Sequence, residues 1–169
     1  MQIKQKISPC LWFDDCAEEA AQFYTHIFEP SQILGITRYG EAGYEIHHKV
    51  AGTVMSVAFE LNGQMFTALN GGPAFKFNEA ISFQVHCETQ AEVDYYWDHL
   101  SAGGDETAQQ CGWLKDRYGV SWQIVPSLLV EMLNAVDAAT SQRVMTAMLE
   151  MKKIDIQTLQ QLSSQSLQV

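Results

Sequence analysis

The side chains best suited to ligand chemistry lie on two predicted strands in the second half of the chain. Gln84 and His86 are two residues apart in an alternating run, and Gln123 follows the apolar Trp122 in another. Because successive side chains of a strand point to opposite faces, Gln84 and His86 share a face, and Gln123 projects away from a core that holds Trp122. An amide donates and accepts hydrogen bonds, and an imidazole can act as a general base. This pattern predicts a polar ligand-binding face on which His86 is the candidate catalytic base.

Two further candidates lie in the first half of the chain. Trp12 shares a strand face with Cys10, where a large aromatic ring can form a stacking wall for a ligand or can fill a cleft by itself. Both interpretations of Trp12 are open. Asn70 is predicted at the rim of the ligand-binding site.

The cysteines do not indicate a catalytic dyad, a disulfide or a zinc site. His86 and Cys87 are neighbours on a strand, so their side chains point to opposite faces. The four cysteines form no CxxC motif and no cysteine–histidine spacing typical of zinc fingers. We therefore predict buried, apolar roles for them. These four residues are Cys10, Cys16, Cys87 and Cys111.

Composition excludes several classes of partner. The chain carries 20 acidic and 10 basic residues, a formal net charge of −10, so it lacks the basic cluster that binds nucleic acid or anionic lipid. No apolar stretch approaches membrane-spanning length, and the N-terminus has no signal-peptide core. We expect a cytoplasmic protein.

The elements that position the candidates begin with a strand over residues 7–13 and a helix introduced by a capping box at Asp15-Cys16-Ala17-Glu18. Strands are predicted over residues 33–39 and 44–50. Asn62-Gly63 then predicts a tight turn joining strands 54–61 and 64–70.

The second half repeats this order. A strand over residues 81–86 precedes a capping box at Thr89-Gln90-Ala91-Glu92, and a hairpin over residues 111–126 turns at Gly119. At a spacing of 74 residues the halves match, for example Leu11 with Val85. This pattern indicates a duplicated βαβββ unit.

The predicted fold is therefore α+β, with two βαβββ units over about residues 5–73 and 79–126 in one domain, residues 1–126. A C-terminal helical extension covers residues 127–169. Its helices are predicted over residues 128–136 and 143–151, with a short last helix capped by Asp155. The methionine-rich stripe of these helices indicates core packing or a dimer contact.

Several segments together resemble a known family. They are LWFD at residues 11–14, AEEA at 17–20, FELNGQ at 59–64, ALNGGP at 68–73, CGWL at 111–114, DRYGVSWQIVP at 116–126, RVM at 143–145 and KIDI at 153–156. This combination is similar to the PhnB-like group, catalogued as a 3-demethylubiquinone-9 3-methyltransferase domain, of the vicinal oxygen chelate superfamily. That superfamily includes glyoxalase I and bleomycin-resistance proteins.

The resemblance implies two sheets that curve into a half-barrel cleft. In metal-dependent members the ligands lie on the first and last strand of each unit, which here correspond to Ser8, Thr67, Ser82 and Gln123. Ser8, Thr67 and Ser82 are poor metal ligands, and the single amide of Gln123 does not make a site. We therefore predict no metal and no cofactor. Gln84 and His86 share the face of Ser82, so the alternative is an irregular site there. Methyl transfer is not expected either, because no glycine-rich strand-to-helix turn is present to hold an adenosyl group.

Three functions remain open at this stage. The first is a metal-independent small-molecule binding protein whose ligand contacts Trp12, Asn70, Gln84, His86 and Gln123. The second is a lyase, isomerase or dioxygenase-like enzyme of the superfamily that uses His86 as base. The third is a subunit with a self-filled cleft that associates through its methionine-rich helices. In each case a homodimer is expected.

Overall fold

The structure is a computed structural model that describes residues 5–134 and 137–164. The chain divides into two units, residues 1–77 and residues 78–169. Each unit has a sheet of its own. Within the described ranges, every helix is too short or too polar to traverse a lipid bilayer.

The first unit is a four-stranded sheet with one long helix packed on it. Its elements are β1 (Cys10–Phe13), α1 (Ala17–Ile27), β2 (Ser31–Arg38), α2 (Tyr44–His47), β3 (Val54–Leu61) and β4 (Gln64–Asn70). The strand order is β1-β4-β3-β2, with β1 parallel to β4 and the other pairs antiparallel. The apolar stripe of α1 covers one face, where the buried Tyr24 ring stacks on Phe59 at 6.3 Å between centroids. The Asn62-Gly63 hairpin is confirmed with the predicted strand bounds.

The start of α1 differs from the prediction. Cys16 is the N-cap, and no side chain of the Asp15–Glu18 segment caps the helix. Instead, Oδ1 of Asn70 accepts a hydrogen bond of 2.8 Å from the Ala17 N–H. The capping oxygen thus comes from the end of β4, a distant residue that the local sequence pattern does not reveal.

The strand predicted over residues 44–50 is also wrong, because this segment contains the short helix α2. Gly43 and His48, at its two ends, have left-handed φ angles of 81° and 53°. The His47 ring stabilises this segment through two contacts. Its Nδ1 accepts a hydrogen bond from the Lys49 N–H at 3.0 Å, and its Nε2 lies 3.1 Å from the Ala42 carbonyl oxygen. Two left-handed residues and these local bonds are incompatible with an extended strand.

The second unit contains a smaller sheet and four helices. Its elements are β5 (Phe83–Cys87), α3 (Gln90–Ser101), β6 (Trp113–Lys115), β7 (Ser121–Pro126), α4 (Ser127–Leu133), α5 (Ala138–Glu150) and α6 (Ile156–Ser164). The order is β5-β7-β6, with β5 parallel to β7. The capping box at Thr89 is confirmed, since both its reciprocal bonds with Glu92 are present.

The second sheet has three strands in the described part of the chain, whereas the first has four. After α3 the chain forms a 3₁₀ turn, Glu106–Ala108, in place of a strand. Asp105 stabilises this turn by accepting a hydrogen bond from the Thr107 N–H at 2.9 Å. The adjacent backbone also lies very close to β6, because a Cβ at Gly104 would be 2.0 Å from the Lys115 carbonyl oxygen. The two units are thus α+β repeats of unequal size.

The C-terminal helices form a core of their own and are joined to the rest of the second unit. The buried members of this core are Leu129, Met132, Val144, Ile154 and Leu159. Met148 and Met151 pack against it, so the methionine stripe contributes to the core. The predicted cap is confirmed, since Oδ1 of Asp155 accepts a hydrogen bond from the Thr158 N–H. The predicted end of the first helix, residues 135–136, lies outside the described residues.

Two sets of bonds connect these helices to α3 and β6. The Gln90 amide donates to the Ile154 carbonyl at 3.3 Å and accepts from the Ile156 N–H at 2.8 Å. The N–H groups of Cys111 and Gly112 donate to the carbonyls of residues 151 and 152, each at 2.8 Å.

Candidate functional site

The turn between β6 and β7 is built around a buried carboxylate. Asp116 is 2% exposed. Its Oδ1 accepts hydrogen bonds from the N–H groups of Tyr118 and Val120 at 2.9 and 3.0 Å, and its Oδ2 accepts from Nε1 of Trp122 at 2.8 Å. The predicted core position of Trp122 is confirmed, since only 3% of this residue is exposed. By fixing Trp122 inside, Asp116 turns the next residue, Gln123, to the opposite face of β7.

A row of neutral polar side chains lies on this opposite face. Gln84 and Gln123 are direct partners in the parallel pair of β5 and β7. The Gln84 Nε2 donates to Gln123 Oε1 at 3.4 Å, and the Gln123 Nε2 donates to the Ser82 hydroxyl at 2.8 Å. His86 follows on the same face, and both it and Gln84 are exposed. The structure therefore brings together three predicted site residues and adds Ser82. We call Ser82, Gln84, His86 and Gln123 the polar face.

Trp12 lies on the face of the first sheet that is turned away from α1, between the buried Leu11 and Phe13. Its Nε1 donates to the Gly72 carbonyl at 2.8 Å, and its ring meets the exposed Phe75 edge-on at 4.9 Å. The ring also lies directly over Gly71, where a Cβ would be 2.1 Å from it. Trp12 is therefore a fixed, half-exposed aromatic surface. Its part in ligand binding stays a prediction.

Asn70 has a structural role that the sequence did not indicate. It is 6% exposed and lies on the α1 side of the sheet, opposite Phe13 in the β1–β4 register. Besides capping α1 through Ala17, its Nδ2 donates to the Val54 carbonyl at 3.1 Å. Both ends of the amide are thus occupied by the protein itself, and ligand contact by Asn70 stays a prediction.

The four positions that the sequence resemblance implies as metal ligands do not fit a divalent ion. Ser8 and Thr67 offer only hydroxyl groups in the first unit, and Ser82 and Gln123 in the second are hydrogen bonded to each other. Among the described residues, no group of three or more histidine, cysteine or acidic side chains is arranged to hold a metal ion. Neutral hydroxyl and amide oxygens alone are a poor donor set for a catalytic metal ion.

The cysteines have unequal exposure, in contrast to the uniform burial expected from the sequence. Cys87 is fully buried, Cys16 and Cys111 are half-buried, and Cys10 is exposed on the face that carries Trp12. Cys10 is exposed because it is the first residue of β1 and points away from α1. All four are free thiols.

These surroundings predict selective alkylation. Burial, together with smaller contributions from the nearby Glu92 and Glu88, raises the pKa of the Cys87 thiol to about 12. At about pH 8 only about one Cys87 in 10,000 is then a thiolate, the form that reacts. We expect iodoacetamide to modify Cys10 at least about a hundredfold faster than Cys87 in the folded protein, as measured by peptide mass spectrometry. The difference should disappear in denaturant, and equal rates in the folded protein would contradict the prediction.

Comparisons with known proteins agree on the family. The family model described as 3-demethylubiquinone-9 3-methyltransferase matches residues 5–125. The Bacillus cereus PhnB protein, whose structure carries the same description, is 38% identical, with a TM-score of 0.63 over 73% of this chain and 100% of that chain. No curated protein matches at a significant level.

More distant structures share the fold alone. Pseudomonas aeruginosa protein PA1353 has a TM-score of 0.55 at 19% identity, over 73% of this chain and 98% of that chain. The fosfomycin resistance protein FosX from Listeria monocytogenes has a TM-score of 0.53 at 14% identity, over 79% of this chain and 100% of that chain. The family match covers well over half of the chain, and the predicted α+β class is confirmed. The chain therefore belongs to the PhnB-like family described as 3-demethylubiquinone-9 3-methyltransferase.

Proposed function

We propose that this protein binds a small organic molecule through neutral hydrogen bonds, without a metal ion. The observation that supports this most is the polar face, where the amides of Gln84 and Gln123 are linked to each other and to Ser82. Each amide has two N–H donors and two acceptor lone pairs. Gln123 uses one donor and one lone pair in these bonds, so it can still offer one of each to a ligand.

The chemistry of the polar face favours a ligand with a donor and an acceptor side by side. A primary carboxamide or a lactam has this arrangement and carries no charge that would need an ion partner. His86 supplies a further hydrogen-bonding group on the same face. In the first unit, Trp12 is proposed by itself as an aromatic ligand contact, and Trp12→Leu tests it separately.

The family description names methyl transfer, and the connections from β1 and β5 into the long helices α1 and α3 do not support it. The strands β1 and β5 lead into helices through residues 14–16 and 88–89, which contain no glycine. A dinucleotide or adenosyl group is usually held where a glycine-rich turn lets it approach a helix N-terminus. Binding without methyl transfer is therefore the function we propose.

The proposal can be tested with a matched pair of probes. In excess EDTA, benzamide should bind about tenfold more tightly than acetophenone, which has the same ring and carbonyl group but no amide N–H. Nuclear magnetic resonance titration should show the largest shifts at Gln84 and Gln123. The variant Gln123→Leu should abolish the preference, and Gln22→Leu, on the exposed surface of α1, is the control.

Equal affinity for both probes, or shifts elsewhere, would contradict amide recognition. Elemental analysis of the purified protein and titration with Mn²⁺ or Zn²⁺ test the metal-independent part separately. A stoichiometric metal that is needed for benzamide binding would overturn it.

We also propose that the protein is a homodimer. Val130, Met145 and Leu149 are apolar side chains that remain exposed on α4 and α5, and exposed apolar surface of this kind favours association. Native mass spectrometry gives the oligomeric state directly. A monomer at micromolar concentration would contradict this proposal.

A further inference from the structure

A cavity of about 500 Å³ lies at the start of α1 within the first unit. This volume is within the usual range for small-molecule sites, roughly 300–1,000 Å³. The residues that line it are Asp15, Glu18, His48, Lys49, Val50, Thr53, Val54 and Asn70. The residues of the polar face are not among them, so the cavity is distinct from the site proposed above.

The charges of this cavity are divided between two segments. Asp15 and Glu18 belong to the start of α1 and contribute carboxylates. Lys49 and His48 belong to the loop after α2 and contribute an ammonium group and an imidazole. A ligand of a single charge would meet like charge from one of the two segments, whereas a ligand that carries both charges can pair with each.

The loop that carries Lys49 is held in place by several contacts. The Lys49 Nζ donates to the Asp14 carbonyl at 3.1 Å, which uses one of the three ammonium donors. The Lys49 N–H donates to the His47 ring at 3.0 Å. Tyr39, whose carbonyl accepts a bond from the Gly52 N–H of this loop, also donates its hydroxyl to the Asn70 carbonyl at 2.6 Å. The cavity is therefore largely formed before a ligand arrives, which lowers the entropic cost of binding.

The apolar part of the lining comes from Val50 and Val54. In a ligand that carries an ammonium and a carboxylate group, the methylene groups between the two charges would contact these valine side chains. The arrangement thus combines two acids, two basic groups and an aliphatic surface in one cavity.

We propose that this cavity binds a small zwitterion of the amino-acid type. The ligand's ammonium group pairs with Asp15 and Glu18. Its carboxylate pairs with Lys49 and accepts a hydrogen bond from the His48 ring, and its methylene groups contact Val50 and Val54. The site is independent of the polar face and of the ligand proposed for that face.

A series of probes with the same chain tests the proposal. The probes are 6-aminohexanoate, hexanoate and hexylamine, with 4-aminobutanoate and glycine as shorter zwitterions. We expect one of the zwitterions to bind at least about tenfold more tightly than hexanoate and hexylamine, because it gains a second ion pair. Amide resonances of Glu18, Lys49 and Thr53 should report the binding in a titration of the full chain.

Matched variants separate this site from general attraction between charges. Glu18→Gln should weaken binding of the best zwitterion about fivefold, whereas Glu19→Gln, which removes the next acid along α1, should change it less than about twofold. Lys49→Arg should retain binding, and Lys49→Met should lose it. The Gln123→Leu variant should bind the zwitterion normally, which distinguishes this site from the polar face.

Two results would overturn the proposal. One is equal affinity for zwitterions and singly charged probes. The other is an equal loss in Glu18→Gln and Glu19→Gln, which would indicate unspecific attraction by the acidic surface.

Discussion

Replacing Asp116 with alanine is expected to lower the free energy of unfolding by about 3–5 kcal/mol. The carboxylate is buried and accepts hydrogen bonds from two backbone N–H groups and from the Trp122 ring. Alanine would leave these three donors inside the protein without their acceptor. Urea unfolding followed by tryptophan fluorescence measures the loss, because Trp122 is one of the affected residues.

Two companion variants make this result specific. Asp116→Asn keeps one oxygen but places an NH₂ group among donors, so an intermediate loss of about 1–3 kcal/mol is expected. Asp105→Ala removes an exposed turn carboxylate that bonds to Thr107, so a loss of stability clearly smaller than that of Asp116→Ala is expected. A loss below about 1 kcal/mol in Asp116→Ala would show that the turn does not depend on the carboxylate.

Replacing Asn70 with alanine is expected to cost about 2–3 kcal/mol of stability, even when no ligand is present. The variant leaves the buried Ala17 N–H and the Val54 carbonyl without their shared partner. Thermal or urea unfolding of the ligand-free protein measures the effect. Asn78→Ala is the control, because Asn78 is exposed and its side chain bonds only to the neighbouring Ala80 N–H among the interactions described.

The outcome also decides how Asn70 should be interpreted. A large loss of stability assigns it to the framework that joins α1 to β4. A change within about 0.5 kcal/mol would instead favour the sequence-based prediction that Asn70 serves the ligand.

Features that depend on neighbouring residues could be predicted from the sequence. The Asn62-Gly63 turn and the Thr89 capping box each involve residues within a few positions of one another, and both are present. The capping box at Asp15 has the same local form, yet the cap comes from Asn70. A pattern within one segment cannot show that a competing acceptor arrives from a residue 53 positions away.

The candidate site was predictable to a similar degree. Strand alternation was sufficient to place Gln84 and His86 on one face. That Gln123 lies directly beside Gln84 depends on the register of two parallel strands that are 39 residues apart, which the sequence does not specify. The turn residue Asp116 could be recognised as polar, but its bond to Trp122 appears only when the hairpin closes. No sequence pattern indicated the cavity at the start of α1, because its shape depends on the left-handed residues that bend the chain at the two ends of α2.

The bonds that join Gln90, Cys111 and Gly112 to residues 151–156 have a consequence for the order of events during synthesis. Domains generally begin to fold while the ribosome is still extending the chain. The first unit needs no residue beyond position 77 for its sheet, so its strands can pair early. Gln90 on α3 and the two residues before β6 receive these bonds only after Ile156 has been added. A ribosome that pauses between residues 126 and 156 would therefore hold a nascent chain in which the first sheet has all its strands, while α3 and residues 111–112 still lack these partners.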